Sequence, residues 1–85
     1  EVWSGTMQNG DKVRVVFSNK QGDRWLQVLQ KRGQLFQMRS YLNEEDAVAF
    51  LVPMVKKYVN GEIDKPEMEM LKTQWLKDGN GKKKS

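Results

Sequence analysis

The stretch GDRWLQVLQKRGQLFQMRSYLNEEDA, residues 22–47, contains two strand-like runs, a tight turn and the start of a helix. In the runs, apolar residues alternate with long polar ones, and no residue between Arg24 and Ser40 is acidic. Such alternation is typical of β-strands with one buried face. The residues between the runs, 31–33 (KRG), have the composition of a turn. The stretch therefore predicts a hairpin that leads into a helix.

Two further strand-like runs precede this stretch. Residues 12–18 (KVRVVFS) are rich in β-branched residues and follow an Asn-Gly pair at 9–10, which favours a hairpin turn. Residues 2–7 (VWSGTM) form a weaker run that we expect at a sheet edge. Together with the runs at 24–30 and 34–42, they predict an antiparallel meander of three to four strands.

The second half of the chain has helical periodicity. Asn43 is predicted to cap a first helix, whose acidic first turn suits the positive end of the helix dipole. Pro53 lies inside this helix, so we expect a kink or break near Val52. A second helix is predicted to begin at Asp64, with Pro66 in its first turn. The predicted apolar faces are Ala47, Phe50, Leu51, Met54, Val55 and Tyr58 in the first helix, and Met68, Leu71, Trp75 and Leu76 in the second.

These elements predict one small α+β domain over residues 1–79, in which the meander packs on one amphipathic helix and a short C-terminal helix follows. Residues 80–85 contain only Asn, Gly, Lys and Ser, and they are predicted to form a disordered basic tail. Because the chain begins with Glu1 rather than Met, we expect it to be a piece of a longer protein or a processed product.

The charge of the chain is unevenly distributed. It has 85 residues and a formal net charge of +4. Residues 1–43 contain seven Lys or Arg against three acidic residues, residues 44–64 two against five, and residues 65–85 six against three. Such asymmetry is typical of a domain that reserves one surface for a polyanion.

The composition argues against catalysis. The chain has neither Cys nor His, so it lacks thiolate metal ligands, disulfides and the usual general base. We therefore predict a non-catalytic protein with no metal, no cofactor and no small-molecule substrate. The absence of Cys favours an intracellular location, in the nucleus or the cytoplasm. Since no apolar run approaches the ~20 residues of a membrane span, we expect no membrane partner.

The long polar residues of the strands and turns are the candidate site. Arg can bind guanine through two hydrogen bonds, Gln can bind adenine in the same way, and Lys neutralises phosphates. Nucleic acid is therefore the predicted partner, with DNA favoured over RNA. Trp25, Phe36 and Tyr41 are candidates for stacking on bases. The predicted nucleic-acid-binding residues are Arg14, Lys20, Arg24, Gln30, Lys31, Arg32, Gln37 and Arg39, with Gln27 and Gln34 in the same pattern.

Other interpretations of the same pattern remain open. Each central strand has apolar residues on both faces, so the pattern does not identify the face that takes the helix. The remaining face suits a nucleic acid, a covering second helix, or a protein partner or second copy bound through apolar residues such as Leu26 and Val28. The polar residues could also serve solubility alone.

Several of these residues occur in the order of a known family. Gly22, the pair Arg24-Trp25, Tyr41, the segment 44–47 (EEDA) and the terminal Asn-Gly at 60–61 follow one another as in the plant ethylene-response-factor, or Apetala-type, DNA-binding domain. Residues 13–62 resemble that domain, which has an integrase-like fold of three strands and one helix. The resemblance implies a sheet in the DNA major groove and a role in transcription regulation. It also implies that the residues nearest the bases are Arg14, Gln30, Gln37 and Arg39.

Overall fold

Four strands followed by two helices make up the domain. The structure is a computed structural model that describes residues 2–31, 33–40 and 44–78. The elements are β1 (Trp3–Thr6), β2 (Lys12–Lys20), β3 (Asp23–Gln30), β4 (Gly33–Arg39), α1 (Glu44–Val59) and α2 (Lys65–Lys77). The predicted α+β class is therefore confirmed.

The strands form one sheet in the order β1-β2-β3-β4, and each pairs with the next in antiparallel orientation. This is the predicted meander, with all four strands present. The register is continuous between β2 and β3, where Val15 lies opposite Val28. Between β3 and β4 it shifts, because Val28 lies opposite Phe36 whereas Leu29 lies opposite Gln34. The extra residue forms a β-bulge in β4.

A two-residue turn joins β2 to β3. Lys20 pairs with Asp23, so the loop consists of Gln21 and Gly22, whose φ angles are 50° and 82°. Two positive φ angles define the type I′ turn, whose twist matches that of the strands. Glycine adopts this conformation without cost, but the Cβ of Gln21 crowds its own backbone there.

We expect Gln21→Asn to raise the free energy of unfolding by about 0.5–1 kcal/mol, because Asn tolerates positive φ and Asn-Gly is the preferred type I′ pair. Urea denaturation followed by circular dichroism measures the change. The matched control is Gln8→Asn in the β1–β2 turn, where φ is not positive and the substitution should change stability by less than ~0.5 kcal/mol. Equal effects of the two substitutions would contradict this account of the turn.

One side of the sheet, called the helix face below, forms the core with α1 and α2. Because side chains alternate along a strand, the buried residues of each strand point to the same side. The core consists of Val13, Val15, Leu26, Val28, Phe36 and Met38 from the sheet and Ala47, Leu51, Met54, Val55, Val59 and Met68 from the helices.

Two polar contacts hold α1 along β3. At its first turn, Glu44 Oε1 lies 2.8 Å from Arg24 Nε, at the start of β3. Near its last turn, the Tyr58 hydroxyl donates a hydrogen bond of 3.3 Å to Gln30 Oε1, at the end of β3. The helix therefore runs in the same direction as β3, and each of its ends is tied to one end of that strand.

Pro53 does not break α1, so of the predicted kink or break near Val52 the break is wrong and the kink stays a prediction. The helix is continuous from Glu44 to Val59, and Pro53 lies on its exposed side. Proline lacks one amide donor, but its ring lies towards solvent and the buried residues Met54 and Val55 continue the apolar face.

The second helix begins as predicted. The Asp64 side chain accepts a hydrogen bond of 3.0 Å from the Glu67 amide, and Pro66 lies in the first turn. Trp75 stacks on Phe50 of α1 with ring centroids 4.9 Å apart, whereas Leu71 is 37% exposed and does not belong to the buried face. The Lys72 ammonium instead lies 5.3 Å from the centre of the Phe36 ring.

The predicted Asn43 cap and the predicted tail at 80–85 lie outside the described residues. In the described part of the chain, neither helix has the length and apolarity required to cross a membrane.

Candidate functional site

The side of the sheet opposite the helix face is called the open face. Both helices pack on the helix face, so the described residues leave the open face uncovered. The sequence-based alternative in which α2 covers this surface is therefore wrong. The open face contains Lys12, Arg14, Val16, Ser18 and Lys20 from β2, Asp23, Trp25, Gln27 and Leu29 from β3, and Gln37 and Arg39 from β4.

Four of the predicted site residues share this surface: Arg14, Lys20, Gln37 and Arg39. The three cationic ones are exposed and Gln37 is half-buried. The Lys20 ammonium donates a hydrogen bond of 3.1 Å to Gln37 Oε1, which spans the sheet from β2 to β4. Arg39 Nη2 lies 3.6 Å from Asp23 Oδ1. These contacts are solvent-exposed, so a ligand can replace them at small cost.

The neutral amides form part of the same network. Gln27 Nε2 donates a hydrogen bond of 2.9 Å to Gln34 Oε1, which joins β3 to β4. Both side chains therefore point to the open face, and the bulge in β4 brings Gln34 there beside Leu29. Donors and acceptors from three strands thus lie on one surface.

Arg24 and Gln30 lie on the helix face, so the predicted residues do not form one surface. Arg24 pairs with Glu44 and lies 4.2 Å above the ring of Phe17. Gln30 accepts from Tyr58 and donates to Asp11 Oδ2 at 3.3 Å. Both side chains hold elements of this fold together, which is a structural reason for long polar residues at the ends of β3.

The remaining two predicted residues, Lys31 and Arg32, follow β3 in the chain. Lys31 is exposed and follows the last residue of β3. Arg32 lies outside the described residues.

The three aromatic candidates for base stacking do not lie on one surface. Trp25 lies on the open face and is half-buried, so part of its ring is accessible. Phe36 is 2% exposed in the core and is therefore excluded as a stacking platform. Tyr41 lies outside the described residues.

The apolar residues proposed for a protein partner need correction. Leu26 and Val28 have no exposed surface, because they face α1 in the core. The half-buried apolar residues of the open face are Val16, Trp25 and Leu29. A partner that binds the sheet through apolar contacts would have to use these three.

The sheet is concave at one end, where the open face meets the turns and where Gln30, whose side chain lies on the helix face, also contributes to the lining. A cavity of about 420 Å³ lies between the β1–β2 turn and the end of the β2–β3 ladder. Its lining residues are Gly10, Lys12, Arg14, Leu29, Gln30 and Lys31. The sequence-based interpretation missed Lys12, although counting back two residues from Arg14 along the strand places it on the same face.

The acidic first turn of α1 does not form a metal site. Glu44, Glu45 and Asp46 are exposed at consecutive positions, and Glu44 forms an ion pair with Arg24. Among the described residues, no group of three or more potential acidic ligands could hold a metal ion.

We expect Arg24→Ala to lower the free energy of unfolding by less than ~1 kcal/mol and to leave the open face unchanged. The ion pair with Glu44 is nearly half exposed, so solvent screens it, and the ring contact with Phe17 adds a similar small amount. Thermal denaturation measures the loss, and amide NMR spectra of Gln27 and Gln37 report on the open face. Large shifts of these amides would contradict the separation of the two faces.

Comparison with known proteins gives no family for this arrangement. The chain matches no protein-family model, no curated protein and no solved structure.

Proposed function

We propose that the domain is a non-catalytic nucleic-acid-binding module that contacts DNA through the open face. The observation that carries the proposal is the placement of Arg14, Lys20 and Arg39 together with Trp25 and the Gln side chains on the sheet surface that no described helix covers. Cations supply phosphate contacts, amides and guanidinium groups suit base edges, and an aromatic ring suits base stacking.

The distribution of charge across the strands favours a groove of duplex DNA. The exposed cations lie on β2 and β4, whereas β3 between them presents Trp25, Gln27 and Leu29. Adjacent strands lie about 4.8 Å apart, so β2 and β4 are separated by roughly 10 Å. The major groove is about 12 Å wide and is bordered by phosphates. A sheet inserted there would direct its outer cations towards the two backbones and β3 towards the bases.

This proposal changes the set of base-contacting residues that the family resemblance implies. Gln37 remains, because it lies opposite Gln27 on the open face, whereas Arg14 and Arg39 lie on β2 and β4 and contact the phosphates in this arrangement. Gln30 does not contact bases in this arrangement, because its side-chain amide forms hydrogen bonds with Tyr58 and Asp11 on the other side of the sheet.

A protein-interaction module is the second candidate. The half-buried group formed by Val16, Trp25 and Leu29 favours it, because apolar and aromatic residues are typical of the centre of an interface. In this case the surrounding cations would form the polar rim, and a second copy of the chain or another protein would cover the sheet.

Fluorescence anisotropy with labelled duplex DNA, single-stranded DNA and RNA at two salt concentrations tests the proposal. If three phosphates are contacted, we expect the logarithm of the association constant to fall with the logarithm of salt concentration with a slope of about −2.7. Duplex DNA should bind most tightly.

Two results would contradict the proposal. The first is no binding to any of the three nucleic acids at low salt. The second is that the double variant Lys56→Ala, Lys57→Ala on α1 loses as much affinity as a variant that lacks the open-face cations. Salt-insensitive self-association that Leu29→Ser abolishes, measured by analytical ultracentrifugation, would instead support the interaction module.

A further inference from the structure

The concave end of the open face, called the basic pocket below, has a lining of unusual charge. Three of its six lining residues, Lys12, Arg14 and Lys31, are cationic and exposed, and none is acidic. Asp11 precedes Lys12 in the chain but is not among the lining residues, and its Oδ2 accepts hydrogen bonds of 3.3 Å from the side-chain amides of Asn9 and Gln30. The three lining cations outnumber this one carboxylate. The pocket therefore concentrates positive charge at one point of the sheet.

The strand register explains why these cations lie close together. Arg14 lies opposite Leu29, Lys12 precedes Arg14 by two residues, and Lys31 follows Leu29 by two residues. Lys12 and Arg14 therefore extend from the same side of β2, and Lys31, in the turn after β3, lines the same cavity.

We infer that the basic pocket binds a phosphate monoester, the group carried by the end of a nucleic-acid strand or by a free mononucleotide. For a strand end, the inference rests on the proposed function. At neutral pH a monoester carries a charge of about −1.5 to −2, whereas each phosphodiester within a strand carries −1. Three convergent cations match the more highly charged group better, and Lys and Arg both donate to its oxygens.

The dimensions of the pocket suit a nucleotide rather than an isolated phosphate. Its volume of about 420 Å³ lies within the range of roughly 300–1,000 Å³ that is usual for small-molecule sites. Leu29 supplies an apolar wall against which a sugar or base can pack, while the cations lie on β2 and at the β3–β4 turn. The position at one end of the sheet leaves the rest of the open face for the adjoining strand.

The test compares two single-stranded oligonucleotides that differ only in a 5′-phosphate or a 5′-hydroxyl group, measured by fluorescence anisotropy with the full chain. We expect the phosphorylated oligonucleotide to bind about tenfold more tightly, which is the contribution of one additional charge-assisted hydrogen bond. Lys12→Ala with Lys31→Ala should abolish this preference. Lys56→Ala with Lys57→Ala removes the same charge from exposed positions on α1 and should preserve it.

Equal affinity for the two oligonucleotides, or a preference that survives Lys12→Ala with Lys31→Ala, would overturn the inference while leaving the proposed function intact. If neither oligonucleotide binds, the pocket does not bind a strand end, the titration with duplex DNA still decides the proposed function, and deoxyadenosine 5′-monophosphate decides the pocket alone. Amide NMR shifts of Gly10, Leu29 and Lys31 that this nucleotide causes and deoxyadenosine does not would support the pocket. Absence of those shifts would overturn it.

Discussion

Leu26→Ala is expected to lower the free energy of unfolding by about 2–5 kcal/mol, because it removes a large side chain from the centre of the core and leaves a cavity. Leu26 has no exposed surface and lies between Phe17 and Met38 in the sheet. Domains of this size have stabilities of roughly 0.05–0.15 kcal/mol per residue, so the loss is a large fraction of the total. Urea denaturation followed by circular dichroism measures it.

Leu71→Ala is the matched control for this substitution. It makes the same chemical change on α2, where the side chain is 37% exposed and alanine is a slightly better helix former. We expect a change of less than ~1 kcal/mol. If Leu26→Ala were as mild as Leu71→Ala, Leu26 could not lie between the sheet and the helices. The assignment of the open face would then be wrong.

The second large effect is expected from removal of the open-face cations. Arg14→Ala, Lys20→Ala and Arg39→Ala together should weaken DNA binding by on the order of a hundredfold at low salt, at roughly 1 kcal/mol for each exposed charge contact. The salt slope should become less steep by about 0.9 for each lost phosphate contact. Anisotropy titrations at several salt concentrations give both quantities.

Lys56→Ala, Lys57→Ala and Lys65→Ala provide a control of equal charge. These lysines are exposed on α1 and α2, on the other side of the sheet, so their loss changes the net charge by the same amount but leaves the open face intact. We expect at most a small loss of affinity. Similar weakening by both triple variants would mean that binding responds to total charge rather than to the open face. Circular dichroism of each variant verifies that the fold is retained.

Local signals in the sequence were sufficient to predict the elements of this fold. The Asn-Gly pair at 9–10 and the capping Asp64 each act through backbone geometry within a few residues, which a sequence displays directly. The break predicted at Pro53 is wrong because the effect of a proline depends on the surroundings of its position in the helix. Pro53 lies towards solvent, and the tertiary packing of α1 outweighs the loss of one hydrogen bond.

The assignment of residues to the two faces could not be predicted, since β3 carries apolar residues at both odd and even positions. Arg24 and Gln30 are fixed on the helix face by Glu44 and Tyr58, which lie 20 and 28 residues further along the chain. Such contacts leave no local pattern. The bulge in β4 also makes the faces unpredictable from local sequence, because one extra residue reverses the side of the sheet to which the neighbouring side chains point.

The bulge in β4 also bears on aggregation. A meander has two edge strands, and each exposes backbone amides and carbonyls that could recruit a strand from another molecule. β1 limits such recruitment by its length of four residues. β4 is longer, with seven residues, but its bulge interrupts the regular spacing of donors and acceptors along the edge, and Arg39 adds charge at its end. The irregularity that turns Gln34 towards the open face thereby also discourages the growth of an intermolecular sheet.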